Sequence, residues 1–268
     1  MNPFYFGAGR RRLFGIYEAA ATGSAGKRAA VLCNPWGAEY VHAHRAMRQL
    51  AVKLSAAGFH TLRFDYFGTG DSAGEMTDAD LEGWKNDIES AMEELEHVVG
   101  AAQVALIGLR VGATLAAKVA ARKAEEVNAL VLWDPIISGE EYLQSLEAHT
   151  RQNARWLDLV TVGSTPVPGE SVLEVQGAPL TRSMMQELLR LDLGAVITAA
   201  PARTRIIVSE RMRSHEALGP ILAGRAAGPI EIDDVADVRP WIEDEFNMGV
   251  VPSNAIQRIV EFLKCAAG

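Results

Sequence analysis

The sequence predicts an α/β architecture: a mostly parallel, doubly wound sheet with helices on both faces. Three observations carry this. Short apolar runs alternate with amphipathic helical stretches over the first half of the chain. The run Gln103–Gly108, a Gly-flanked turn and the Ala-rich stretch Ala113–Ala124 together read as strand, turn and helix. With 268 residues, 49% of them hydrophobic, the chain can build one large domain or a core with a modest insertion.

Taken in order, residues 4–18 are two extended pieces joined by a turn at Gly7–Arg12. Ala29–Asn34 is a β-type run that ends in the loop signal Asn34-Pro35-Trp36-Gly37. From His44 to Ala57, Met47, Leu50, Ala51 and Leu54 take the spacing of an amphipathic helix, and Gly58 closes it. Phe59–Phe64 is a strand, followed by a loop from Asp65 to Ser72. Leu81–Val99 is a second helix, striped with Trp84, Ile88, Met92, Leu95 and Val99. Val104–Ile107 and Ala129–Trp133 are strands on either side of the Ala-rich helix. Right-handed crossovers then align the C-terminal strand ends, and any binding site, along one sheet edge.

Between Ser138 and Ala200 the alternation breaks into helix-type sequence, with a two-proline loop around Gly163–Gly169. The pattern predicts a helical cap insertion over 138–200 and a core made of 1–137 and 201–268. Arg205–Ser209 and Ile230–Ile232 resume the strands, and Ser253–Cys265 is a closing amphipathic helix.

Formal charge is −8 with no long run of one sign, which argues against a nucleic-acid-binding face. Arg10-Arg11-Arg12 reads as a solvated turn. Cys33 and Cys265 stand far apart and in no metal-ligand spacing, so neither a metal, a disulfide framework nor a cofactor is expected. The N-terminal segment holds no apolar signal region, and no window reaches the roughly 18 apolar residues of a membrane span. The expectation is a cytoplasmic protein.

The chemistry concentrates at Gly108-Leu109-Arg110-Val111-Gly112. Its strand–turn–helix setting is that of a nucleophile elbow, Gly-x-Ser-x-Gly, which holds one side chain exposed on a strained turn. Here that side chain is Arg110. A guanidinium stays protonated and only donates, so it can neither attack a carbonyl nor accept a proton.

The elbow, the Asn34-Pro35-Trp36-Gly37 loop and above all Arg63-Phe64-Asp65-Tyr66-Phe67-Gly68-Thr69-Gly70-Asp71-Ser72 resemble the α/β-hydrolase superfamily. The similarity is to its serine aminopeptidase and lysophospholipase-like branch. Within it, a Gly-Leu-Arg-x-Gly elbow resembles hydrolase-like proteins associated with exosortase systems or biosynthetic clusters. The resemblance implies an α/β-hydrolase fold and an acyl substrate: an ester, thioester or amide. It implies backbone N–H donors for an oxyanion at Trp36, Gly37 and Val111, and an acid after the strand Arg205–Ser209, where Glu210 stands. The family's histidine belongs between the last strand and the final helix, and no histidine occurs between Ile230 and Ser253. Loss of the nucleophile alone costs on the order of 10⁶ in rate in a related mechanism, so a conventional Ser-His-Asp hydrolase is not expected.

At the resulting anion-friendly strand edge, Arg110 would meet a carboxylate, phosphate or enolate. Its internal alternatives are Glu39 and Asp134. Asp134, before Pro135 at a strand end, is either a base or a loop-capping acceptor. Cys33 reads as a buried core residue, His42 and His44 as surface histidines of which one could approach Arg110, and His149 and His215 as distant candidates for a base. Two readings result. One is a hydrolase-like enzyme on a small acyl substrate, with Arg110, Asp134 and Glu39 at its centre. The other is a catalytically silent protein that uses Arg110 to hold an anionic ligand or an internal carboxylate, in company with a pathway partner protein.

Overall fold

The computed structural model describes residues 1–21, 27–157, 172–175, 177–242 and 250–265, without the side chains of 149–157 and 172–174. An eight-stranded sheet runs through it. Strands β1 (Asn2–Phe6) and β2 (Leu13–Glu18) form an antiparallel hairpin at one edge. Then come β3 (Ala29–Cys33), helix α1 (Gly37–Ala56), β4 (His60–Phe64), α2 (Leu81–Val99), β5 (Val104–Leu109), α3 (Val111–Arg122) and β6 (Val127–Trp133). After β6 follow α4 (Gly139–Leu157), the two-stranded pair β7 (Val172–Val175) and β8 (Ala178–Thr181), α5 (Arg182–Leu189) and α6 (Gly194–Ile197). The chain closes with β9 (Thr204–Val208), α7 (Arg213–Ala223), β10 (Glu231–Asp234) and α8 (Ser253–Cys265).

The strand order is β1-β2-β4-β3-β5-β6-β9-β10, parallel from β4 onward. β3, β5 and β6 lie in its middle and are covered on both faces, which is why β3, β5 and the Ala129–Trp133 stretch of β6 are continuously apolar. Their side chains alternate between two cores. Val31, Leu106, Leu130 and Leu132 pack toward α2 and α3. Leu32, Ile107, Val131 and Trp133 pack with α1 and α8.

Helix α2 shows how local signals set an end. The Asp80 side chain accepts from Gly83 N at 2.5 Å, and Gly100 at φ 67° stops the helix. Helix α1 starts seven residues before the predicted His44. Gly37, at φ 60°, turns the chain directly out of Trp36, and polar Glu39 and Tyr40 fill a first turn that an apolar stripe does not mark. The predicted two-proline loop at Gly163–Gly169 lies outside the described residues. Among the described residues, no helix is long and apolar enough to cross a membrane.

Candidate functional site

β5 and β6 pair in register through Leu109 and Trp133, so Arg110 and Asp134 come next at two neighbouring strand ends. Both are strained. Arg110 has φ 55° and Asp134 φ 42°, and they are the two non-glycine residues with positive φ among those described. Such conformations cost on the order of 1–3 kcal/mol each and persist only where the surroundings enforce them. Here Arg110 N donates to Trp133 O at 3.0 Å and Asp134 N to Ile207 O at 2.8 Å. The glycines around Arg110 let α3 approach this closely. A Cβ at Gly108 would collide with Gly112 and Ala113, and one at Gly112 with the carbonyls of Cys33 and Asn34.

The Arg110 side chain turns inward. Its Nε donates to Glu39 Oε1 at 3.0 Å, and the two side chains are 7% and 6% exposed. The guanidinium lies over the rings of Trp241, at 4.9 Å, and Tyr142, at 5.4 Å. Tyr142 OH donates to Glu39 Oε2 at 3.1 Å and accepts from Trp36 Nε1 at 2.9 Å. Burial alone would weaken the guanidinium's charge. The Glu39 carboxylate, with Tyr142 and Asp134 adding to it, more than offsets that and holds the group above its ordinary pKa. The result is a polar cluster in which Arg110 Nε, both Glu39 oxygens, the Tyr142 hydroxyl and the Trp36 indole N–H are linked by hydrogen bonds.

Asp134 stands differently. Its Oδ1 accepts from Ser209 N at 2.7 Å and Glu210 N at 3.2 Å, while Oδ2 is buried with no hydrogen-bond partner among the described residues. Burial pushes its pKa up to about 6, against the pull of those N–H donors, the Ser209 side chain and Arg110. Thr114 Oγ1, at the start of α3, donates to Ile136 O at 2.7 Å and ties α3 to the segment after β6.

Of the residues singled out in the sequence, Arg110, Glu39 and Trp36 come together here. Gly37 makes the turn into α1, and Val111 opens α3, both close to the cluster in sequence. Glu210 does not join them: its carboxylate is exposed and pairs with Arg239 at 2.7 Å. His44 meets Arg63 at 3.5 Å instead of Arg110. His215, on α7, is buried, with Nδ1 2.9 Å from Met212 N and Nε2 unpartnered among the described residues. Burial first, then Arg211 and Arg110, lower its pKa, while contact with Met212 opposes the shift. The His149 side chain lies outside the described residues. Cys33 is fully buried, and burial pushes its thiol far up.

Tyr142 and Trp241 were not singled out. They stand 32 and 131 positions beyond Arg110 in the sequence, and an aromatic residue on a helix or in a loop reads as core. Two grooves of about 490 and 590 Å³ lie elsewhere, at the end of β10 against α8 and between α1 and α8. Neither is lined by Arg110, Glu39 or Asp134.

The family model for serine aminopeptidase, S33, matches residues 27–188, more than half of the chain. The chain belongs to the serine aminopeptidase S33 family. Solved structures similar to this family member cover nearly all of it. They include an esterase from Pyrococcus furiosus, Pf2001 (14% identity, 100% of this chain and 90% of that one, TM-score 0.68). Est1E from Butyrivibrio proteoclasticus has 14% identity over 98% of this chain and 99% of its own, with a TM-score of 0.61. The thioesterase domain from the curacin biosynthetic pathway has 12% identity over 98% and 99%, with a TM-score of 0.57. No curated protein matches the chain. The fold is therefore the α/β-hydrolase fold, related to those of esterases and thioesterases.

Proposed function

We propose that this chain is a catalytically silent member of its family, in which Arg110 holds the internal carboxylate of Glu39 at the elbow where a hydrolase presents its serine. In this reading the protein serves as a binding or scaffold protein beside an acyl-processing partner. The observation that carries it is the buried Arg110–Glu39 pair, enclosed by Tyr142, Trp36 and Trp241. A donor-only side chain on the elbow leaves no group there to attack an acyl carbon. The absence of any histidine between Ile230 and Ser253 supports the same reading. Residues 138–200 act in this proposal as a cap, with Tyr142 of α4 closing over the elbow. Cytoplasmic residence and service to an exosortase system or biosynthetic cluster are its finer parts, supported by the two free cysteines and by the Gly-Leu-Arg-x-Gly elbow.

A second reading, turnover of a small acyl substrate, has one observation in its favour. Asp134 has a free buried oxygen and a pKa near 6, the range in which a general base operates at neutral pH. Trp36, Gly37 and Val111 would then supply the oxyanion donors.

Treatment with a fluorophosphonate and with iodoacetamide, read by intact mass, tests for a nucleophile. Hydrolysis of an activated ester by the parent and by Asp134→Asn tests for a base that acts on water and leaves no adduct. A Cys265→Ser background is needed because that thiol is exposed. The silent reading expects no adduct on the folded protein, and no hydrolysis of an activated ester by the parent or by Arg110→Ser above the uncatalysed rate. Hydrolysis by the parent that Asp134→Asn abolishes would establish the second reading. One stoichiometric adduct, located by digestion, would overturn the silent reading and establish a displaced nucleophile.

A further inference from the structure

Two arginines of this chain show what the Nε–Nη2 edge of a guanidinium seeks. Arg11 places Nε and Nη2 on the two oxygens of Asp87, at 2.7 and 3.1 Å. Arg211 does the same with Asp234, at 2.6 Å for both. This is the bidentate fork that makes arginine the preferred partner of planar oxyanions.

Arg63, on β4, has the same edge and no oxyanion on it. It is 7% exposed, yet no carboxylate among the described residues forms an ion pair with it. Nε is buried without a hydrogen-bond partner, and Nη2 reaches only the sulfur of Met1, at 3.9 Å. A thioether is a weak acceptor, and the Met1 side chain that provides it is largely exposed. The remaining nitrogen, Nη1, faces His44 Nε2 at 3.5 Å.

Helix α1 adds two basic side chains beside Arg63, His44 and Arg48. Tyr40, His44 and Arg48 stand at i, i+4 and i+8 on α1, one stripe of a helix that packs on β4. His44 and Arg48 are exposed. Burial lowers the pKa of Arg63, with Arg48 adding to it against Glu18, Tyr40 and Asp65, and burial, Arg63 and Arg48 lower that of His44 against Asp65. The nearby carboxylates are engaged elsewhere. Glu18 lies 3.5 Å from the terminal ammonium, and Asp65 accepts from Tyr40 OH and Asp71 N.

We propose that this place, between α1 and the β1–β2–β4 edge, is a binding site for a small oxyanion, a carboxylate or a phosphoryl group. The Nε–Nη2 edge of Arg63 takes two of its oxygens, displacing the Met1 thioether, and Arg48 and His44 flank it. The site is separate from the elbow and does not depend on the reading of Arg110.

The test is titration of the full chain with inorganic phosphate and, separately, with acetate. It is run at constant ionic strength in chloride and followed by calorimetry and by the imidazole C–H resonance that His44→Gln removes. Saturable binding of either anion, with that resonance moving at the same midpoint, is expected. Saturation by phosphate alone assigns a phosphoryl group, and by acetate alone a carboxylate. Arg63→Lys keeps the charge but not the fork and should weaken binding roughly ten-fold. Arg48→Ala should weaken it several-fold, and Glu18→Gln should tighten it. Arg63→Met should abolish it. Should that variant not fold, Arg63→Lys and Arg48→Ala carry the test. Linear, non-saturating shifts with both anions, or unchanged affinity in Arg63→Lys and Arg48→Ala, would overturn the proposal.

Discussion

Arg110 and Asp134 end neighbouring strands, share the strained half of backbone space and carry opposite charges, yet their environments are unequal. Around Arg110, Glu39 accepts from Nε, and Tyr142, Trp36 and Trp241 enclose the pair. Asp134 has one oxygen held by two backbone N–H groups and the other held by nothing among the described residues. The lesson is that the strained elbow does not by itself decide what the side chain on it bonds to. The fold keeps its geometry, and side chains reaching in from α1 and α4 decide whether the group on it is free or tied down.

Breaking the Arg110–Glu39 pair should cost most. Glu39→Ala leaves a buried guanidinium without its carboxylate, and such unpaired buried charges cost about 3–5 kcal/mol. Chemical denaturation at pH 7 should show that loss. The double variant Glu39→Leu with Arg110→Met removes both charges at once and should regain most of it, because a buried pair is stabilising mainly against the loss of one partner. A loss below about 1 kcal/mol in Glu39→Ala would mean that the pair is solvated like a surface bridge.

The next effect belongs to Asp134 and has a definite sign. Its carboxyl titrates near 6 in the fold and near 3.9 when unfolded. A raised carboxyl pKa means that the native state holds the proton more tightly. Its contribution to stability is therefore complete below about pH 4 and is lost as pH rises through 6. At about 1.4 kcal/mol per pH unit, the loss is roughly 3 kcal/mol by pH 8. Asp134→Asn carries no such charge and can still accept from Ser209 N and Glu210 N. The variant should gain on the parent between pH 4 and 8 in paired denaturation curves. Parallel curves would place the orphan oxygen in contact with water.

How much of this was legible beforehand follows from the range of each signal. β5, β6 and α2 were readable because their causes are local: continuous apolar runs, a 3.6-residue stripe, an Asp cap and a closing glycine. The start of α1 was not, because its first turn is polar and is held by Glu39 reaching to Arg110, 71 residues away. Glu39 itself was readable as a partner for Arg110 because both flank the same strand edge. Tyr142 and Trp241 were not, since nothing in their own neighbourhoods marks them as lids on a cation. His44 lies near the start of α1, but its position opposite β4 turns it to Arg63.

The smallest effects test how the cluster divides its hydrogen bonds. Tyr142→Phe removes a hydroxyl that accepts from Trp36 Nε1 and donates to Glu39 Oε2. It strands a buried indole N–H and should cost about 1–3 kcal/mol. Trp36→Phe removes the indole donor alone and leaves the phenol bonded to Glu39, so it should cost less, about 1 kcal/mol. If the two bonds polarise one another through the phenol, the double variant should cost less than the sum of the single ones. Strict additivity in that cycle would mean that Trp36 merely fills space beside Tyr142. The Arg110–Glu39 pair would then rest on the phenol and the Trp241 ring alone.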